Sequence, residues 1–277
     1  MLGRRLAGLA RATHPLPAAA VTILAGGLLV ARGTRGAALA WGVAATAAGQ
    51  ASVGWLNDAI DTEEDRAAGR REKPVVGGLV SRGTLVTAAA VALLLAIALA
   101  APLGPPALLV MLAAVLSAWA YDVGLKRTPL SWVPYAISFG LLPVFVGLAA
   151  PAGRPPSYWV VAGAALLGVA GHLTNALPDL IVDRASGRRG LPNLLGPRAS
   201  LWLACVLLAV SLTSALVLQA RDGALDVPVA VVGVAGAGLV AAVAVSGARR
   251  RFLAGFRLTI AAAAATAAVV AASARGW

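Results

Sequence analysis

Apolar runs of about 20 residues follow one another along nearly the whole chain, and charge is confined to the breaks between them. Wound as a helix, a run of that length matches the hydrocarbon thickness of a bilayer. Lipid offers no partner to backbone N–H and C=O groups, so such runs must be helices. Hydrophobic residues make up 60% of the 277 positions and charged residues 12%; soluble domains carry about twice that share of charge. With a mean hydropathy of +0.84, the chain is predicted to be an all-α, polytopic membrane bundle.

Nine spans are predicted, at roughly 15–31, 37–57, 84–101, 105–121, 130–150, 157–177, 200–218, 225–246 and 253–274. Gly33, Gly36, the Gly104-Pro105-Pro106 turn, Pro151 to Pro156 and Gly223 mark connections. Arg4, Arg5 and Arg11 before the first run resemble the basic start of a signal peptide. With membrane sequence on both sides of every later break, the reading is a retained first helix. The net charge of +12 follows from basic residues in the breaks rather than from a nucleic-acid surface, so no nucleic-acid partner is expected. Of 23 Lys and Arg residues, 18 lie in the N-terminus and the second, fourth, sixth and eighth connections; the other face has Arg32, Arg35, Arg154, Arg221 and Arg275. The positive-inside rule then puts the N-terminus in the cytoplasm. Cys205, the single cysteine, lies in an apolar run, which leaves no disulfide or thiolate metal site.

Against this background the acidic residues are sharply localised. Seven of 11 lie between Asp58 and Asp65 or at Asp179 and Asp183. From Asn57 the spelling runs through Asp61, Asp65, Arg66, Ala67, Gly69, Arg70, Arg71, Pro74 and Gly78. From Asn175 the same letters recur at the same offsets, at Asp179, Asp183, Arg184, Ala185, Gly187, Arg188, Arg189, Pro192 and Gly196. Four predicted spans separate the two segments, so both emerge on one face, the cytoplasmic one. A duplication and a local echo imposed by a shared ligand account for the repeat equally well.

Positions 57, 61 and 65, and 175, 179 and 183, are each four apart and line one face if the helix of the preceding span continues. Stacked carboxylates repel unless a cation lies among them. Hard oxygen donors of this type suit Mg²⁺, which binds through a few carboxylates together with substrate phosphates. Arg70, Arg71, Lys73, Arg184, Arg188 and Arg189 are superfluous around a bare metal but supply countercharge beside a metal–diphosphate. The alternative, solvated acids that offset nearby arginines, explains one such segment and not two of matched spelling.

These motifs resemble those of the UbiA family of intramembrane prenyltransferases, N-D-x2-D-x3-D and D-x3-D. Asn57, Asp58, Asp61 and Asp65 match the first, and Asp179 and Asp183 the second. Lys73-Pro74 with Gly77 and Gly78, and the Gly187 to Gly196 stretch, match as well. Tyr121 and Lys126 are similar to the family's Tyr-x3-Lys element but lie five apart, which favours Lys126, beside Arg127, over Tyr121 on the diphosphate. The resemblance implies a nine-helix bundle forming one domain over 1–277, with Asp-rich cytoplasmic segments at 57–78 and 175–196. It implies Mg²⁺ held by Asn57, Asp58, Asp61, Asp65, Asp179 and Asp183, with Asp58, Asp61, Asp179 and Asp183 catalytic. It further implies Arg70, Lys73, Lys126, Arg127, Arg184 and Arg188 on the diphosphate of an allylic isoprenoid donor. It implies that the prenyl group passes to a lipophilic, aromatic acceptor in a bacterial plasma membrane, with membrane lipid around the bundle. The acidic motifs read the donor, so the acceptor class, the prenyl chain length and the oligomeric state do not follow from them.

Asn175, Tyr121 and His172 are substrate-contact candidates. His14, beside Pro15, reads as an interfacial helix start or a base for the acceptor. Trp55 and Phe139 are candidates to face a carbocation. Asp122, four before Lys126, reads as its ion-pair partner. Glu63, Glu64 and Glu72 read as tuning the first array or as exposed. Two rival readings stand beside the transferase: a UbiA-type membrane terpene cyclase without an acceptor, and a transporter using the acids as a cation site. Transporter sites lie near the bilayer midplane, whereas these acids lie at span ends.

Overall fold

A computed structural model describes residues 2–180, 188–221 and 223–272. The described residues are helical without strands: α1 (Leu2–Ala12), α2 (Pro15–Ala31), α3 (Gly36–Ile60), α4 (Thr62–Ala67), α5 (Arg82–Ala100), α6 (Pro105–Val123), α7 (Val133–Ala149), α8 (Tyr158–Ala176), α9 (Leu191–Arg221), α10 (Val227–Ala248) and α11 (Phe252–Ala271). Each of the nine predicted runs falls on a long helix. Seven of these helices are long and apolar enough to cross a membrane by themselves, and the bent pair α1–α2, broken by 65° at Thr13-His14, is an eighth candidate. The helix α3 falls outside that set because Gly, Ser, Gln50, Asn57 and Asp58 dilute its apolar content. Their outward faces expose Ile23, Leu94, Trp202, Val231 and Val234. An apolar belt of that extent is a lipid-facing surface, and the protein is a multi-pass membrane protein.

The helices close into a ring: α3 packs along α5 and α6, α6 on α7, α7 on α8, α8 on α9, and α10 on α11, while α11 meets both α8 and α2. Small residues set the close approaches, as membrane packing favours. A Cβ on Gly168 would stand 2.5 Å from the Tyr135 carbonyl oxygen and 2.7 Å from the Phe139 Cβ, so only glycine lets α8 lie this near α7. Gly54 likewise admits the backbone of Ala12 and Thr13, which seats α1 against α3. One apolar core gathers Leu28, Leu29, Met111, Val115, Phe145 and Val146, and a second gathers Leu167, Leu173, Leu208 and Val243.

The α1 segment differs from the sequence reading, which had only a basic start there. It is an amphipathic helix with Arg4 and Arg5 exposed, tied to α3 by the Trp55 Nε1–H bond to the Leu9 carbonyl at 2.8 Å. That bond gives Trp55 a structural role rather than the carbocation-facing one.

Candidate active site

The first acidic segment keeps its predicted face by a different route. The helix α3 stops at Ile60 and α4 begins at Thr62. The junction residue Asp61 nevertheless has near-helical angles, and the bonds Asp61 N–H to Asn57 O (2.9 Å) and Asp65 N–H to Asp61 O (2.8 Å) carry the four-residue register across it. The second segment tightens after α8 into a 3₁₀ turn, Leu177–Asp179, which carries Asp179. Asp183 and Arg184 lie outside the described residues.

The two segments meet on one guanidinium. Arg70 donates from Nη1 to Asp65 Oδ1 at 3.3 Å and from Nη2 to Asp179 Oδ1 at 2.8 Å. The converse contact comes from Arg188, which donates from Nε to Glu64 Oε2 at 2.9 Å and approaches Asp61 Oδ1 at 3.4 Å. Each segment thus lends an arginine to the other's carboxylates. Gly78 and Gly196, equivalent in the echo, both take left-handed backbone, at φ of 70° and 80°. The shared spelling there reflects a conformation that only glycine adopts freely.

The remaining cations complete a network. Lys73 donates to Asp58 Oδ1 at 2.7 Å, the oxygen that His14 Nε2 also reaches at 3.0 Å. Lys126, buried, is bonded to Asp61, and Arg127 donates from Nε to Glu64 Oε1 at 3.1 Å. Four of the predicted diphosphate cations on the first segment and fourth connection, Arg70, Lys73, Lys126 and Arg127, therefore converge with Arg188. Lys126 does not pair with Asp122, which corrects the expectation drawn from their four-residue spacing. Lys126 lies in a 3₁₀ turn beyond the end of α6, so helical spacing does not apply to it. Asp122 instead accepts from Asn57 Nδ2 at 2.8 Å.

Glu64 belongs to the site, whereas Glu63 is exposed and pairs with Arg66. Its position three after Asp61 was the signal that could have placed it. Burial acts to raise the pKa of Glu64, but the Arg127 and Arg188 hydrogen bonds and charges outweigh it and hold the carboxyl below the usual value. At Asp65 burial dominates and Asp61 and Asp58 add repulsion, so its pKa is raised although Lys73 and Arg70 oppose the shift.

Below the acids lies a cluster that sequence gave only in part. The Tyr135 hydroxyl lies near Asn175 and Tyr121. Tyr121 stands edge-on to Tyr135 at 5.1 Å and to His172 at 5.6 Å, and Tyr135 stacks towards Phe139 at 6.4 Å. His172 Nε2 meets Ser131 Oγ at 2.9 Å, and Ser131 accepts the Leu191 N–H at 2.8 Å, knotting α8 to the starts of α7 and α9. No local pattern marks Tyr135 or Ser131. Phe139 and Leu142 then separate two apolar clefts with about 660 and 540 Å³ of unfilled space, partly open to the outside. Leu24, Leu28, Leu167 and Thr266 line the first, and Thr46, Gln50, Met111 and Phe145 the second. A path therefore runs from Asn175 through Tyr135 to Phe139 and the apolar interior.

The donor set is of the type a hard divalent cation takes, with carboxylate and amide oxygens and no sulfur. Asp122 Oδ2 is buried without a hydrogen-bond partner. Among the described residues no three His, Cys, Asp or Glu side chains are gathered around one point, because lysines and arginines space the carboxylates. The residues fit a cation that arrives with an anionic partner for those lysines and arginines.

Comparison with known proteins places this arrangement. The bacteriochlorophyll synthase 33 kDa chain of Cereibacter sphaeroides is 31% identical over 169 residues, 58% of this chain and 54% of that one. The lycopene elongase/hydratase of Haloferax volcanii is 34% identical over 118 residues, 41% of this chain and 38% of its own. The match thus spans about half or less of the length of these two relatives. The digeranylgeranylglyceryl phosphate synthase of Halobacterium salinarum is 34% identical over 209 residues, 74% of either chain. Among solved structures, a UbiA homologue from Archaeoglobus fulgidus bound to GPP and Mg²⁺ has a TM-score of 0.71 at 19% identity, covering 95% of this chain and 99% of that one. The apo structure of a UbiA homologue from Aeropyrum pernix K1 has a TM-score of 0.75 at 21% identity, covering 91% and 96%. The fold is theirs, and residues 19–257 match the model of one family: the chain belongs to the UbiA prenyltransferase family.

Proposed function

We propose that the protein transfers a prenyl group from an allylic isoprenyl diphosphate to a lipophilic acceptor within the membrane, with Mg²⁺ as cofactor. Aromatic compounds are the first acceptor class to test. The observation that carries this reading is the crossing of the two acidic segments, through Arg70 and Arg188, above an apolar interior. The relatives are a bacteriochlorophyll synthase chain and a digeranylgeranylglyceryl phosphate synthase by name, and a structural neighbour holds GPP with Mg²⁺. In this reading the single domain spans 1–277, and α2, α3 and α5 to α11 cross a bacterial plasma membrane nine times. The N-terminus and the mouth of the site then face the cytoplasm, a reading that the distribution of Lys and Arg supports.

Asn57, Asp58, Asp61, Asp65 and Asp179, with Asp183, are the oxygen donors that would hold the cation. When bound, it supplies Lewis-acid stabilisation of charge on the diphosphate. Arg70, Lys73, Lys126, Arg127 and Arg188 bind the diphosphate oxygens and neutralise the charge that develops as the C–O bond breaks. Asn175, Tyr121 and Tyr135 lie where the allylic end meets the apolar interior, and aromatic faces there favour a carbocation. The apolar clefts take the prenyl tail and keep water from the cation.

The test is Mg²⁺-dependent diphosphate release by purified protein in lipid, over a panel of allylic diphosphates with and without acceptors. Acceptor-dependent release with a prenylated product is expected. Release without an acceptor assigns the cyclase, and no release from any donor by folded protein returns the acids to the cation-site reading. Asp61→Ala and Asp179→Ala are each expected to abolish release with the fold intact; full activity in both sinks the site assignment.

A further inference from the structure

Asp122 is an acid that belongs to neither matched motif, yet it is 2% exposed and in contact with the first of them. It sits in the last turn of α6, and its Oδ1 accepts from Asn57 Nδ2 at 2.8 Å across 65 residues of sequence. The other amide hydrogen of Asn57 faces Asp61 Oδ2 at 3.5 Å. Acid oxygens accept from an amide N–H, and the Asn57 nitrogen has an Asp122 oxygen and an Asp61 oxygen beside it. Flanked by Asp122 and Asp61, the Asn57 amide therefore has one sensible orientation: its nitrogen towards both acids and its Oδ1 away from them. A flipped amide would give up the bond to Asp122 and set its oxygen against the carboxylate of Asp61, which already pairs with Lys126. The oxygen so presented is the only side-chain atom of Asn57 able to ligate a cation.

Asp122 gains little for the fold from this. A carboxylate taken out of water costs several kcal/mol unless all its lone pairs are met, and its Oδ2 is buried without any hydrogen-bond partner. The nearby Lys126, which could have neutralised it, is bonded to Asp61. A buried acid left partly unsatisfied to hold one amide is a local cost retained for the geometry of that amide.

We propose that Asp122 is a positioning residue of the cation site, acting through Asn57: it fixes the amide so that Oδ1 stands ready as a ligand. The inference rests on the Mg²⁺–diphosphate reading above. Outer hydrogen-bond partners of metal ligands typically contribute about 10- to 100-fold to metal affinity, and that is the effect expected here.

The experiment titrates Mn²⁺, followed by EPR, into the full-length protein in lipid nanodiscs saturated with geranyl thiolodiphosphate, a donor that resists cleavage. Melting curves on the same samples report folding. Asp122→Leu, similar in volume and apolar, is expected to weaken Mn²⁺ binding by about 10- to 100-fold. In an Asn57→Ala background the same substitution should add nothing, since the two act as one unit. Asp122→Asn keeps an acceptor oxygen for the Asn57 amide and should restore most of the affinity. Unchanged Mn²⁺ affinity in Asp122→Leu overturns the proposal, as does full additivity with Asn57→Ala. It is also overturned if folded Asp122→Asn binds as weakly as Asp122→Leu, because charge and not orientation is then the property that matters. Failure of the parent protein to bind Mn²⁺ at all would instead strike at the Mg²⁺–diphosphate reading.

Discussion

Arg70 is the residue on which the two halves of the site depend most directly. Its guanidinium holds Asp65 with one nitrogen and Asp179 with the other, a planar fork that a lysine cannot reproduce. Arg70→Lys keeps the charge and loses the fork, so donor turnover should fall by about 10-fold. Arg70→Gln removes both, and a loss of about 10²-fold in kcat/KM is expected, as for removal of one charge-stabilising donor; steady-state diphosphate release measures each. Glu64 yields a prediction on stability. Its pKa lies below its ordinary value, so ionised Glu64 stabilises the folded state at neutral pH. That contribution is lost as pH falls from about 4.5 through the lowered folded-state pKa, because the unfolded chain takes up the proton first. Glu64→Gln should lower the melting temperature at neutral pH and flatten its decline in the acid window, read by thermal scans from neutral pH to about 3. These acids and bases could be found in the sequence because so few others exist and because their spelling repeats. The partners could not. His14 reaches Asp58 across 44 residues and Asn57 reaches Asp122 across 65, and only the packing of α2, α3 and α6 brings them together.

At the scale of elements, the apolar runs located the long helices because lipid leaves no alternative to helical hydrogen bonding. Where the reading fell short, the reason was composition or capping. The α1 helix carries Arg4, Arg5 and Arg11 in 11 residues, so no hydropathy window detects it. The fourth connection was read as continuing helical spacing, whereas Gly124, at φ −163° and ψ −39°, ends α6 and starts a 3₁₀ turn that swings Lys126 towards Asp61. The closeness of α7 and α8 was also invisible, since Gly168 is one of 31 glycines. Its consequence can be measured. Gly168→Val drives side-chain atoms into the Tyr135 carbonyl and the Phe139 side chain, and overpacking of this kind costs about 1–3 kcal/mol. A lowered melting temperature is expected, together with weaker donor binding, because Tyr135 and Phe139 lie between Asn175 and the clefts. A control at Gly171, also on α8 but with open space around it, should leave both unchanged when substituted by Ala.

For the molecule as a whole, orientation is open to a direct check. Cys205 is the sole cysteine and is buried, so a Cys205→Ala protein gives a silent background. With the site facing the cytoplasm, Glu72→Cys should react with a membrane-impermeant maleimide only in inside-out vesicles, and Ala152→Cys only in intact cells. The opposite pattern would invert the proposed topology. The ion-pair network described above then bears on how ligands are admitted. Among the described residues, Asp58, Asp61, Glu64, Asp65 and Asp179 each have a protein cation beside them, and Arg70, Lys73, Lys126 and Arg188 each an acid. A divalent ion arriving alone must displace ammonium and guanidinium groups from those carboxylates. A diphosphate arriving alone must draw those same groups from carboxylates left bare. Together, each frees the partners that the other requires. The expected signature is strong thermodynamic synergy: Mn²⁺ and an inert diphosphate each bind weakly alone and raise one another's affinity by the same factor, so that the site admits the two as a pair.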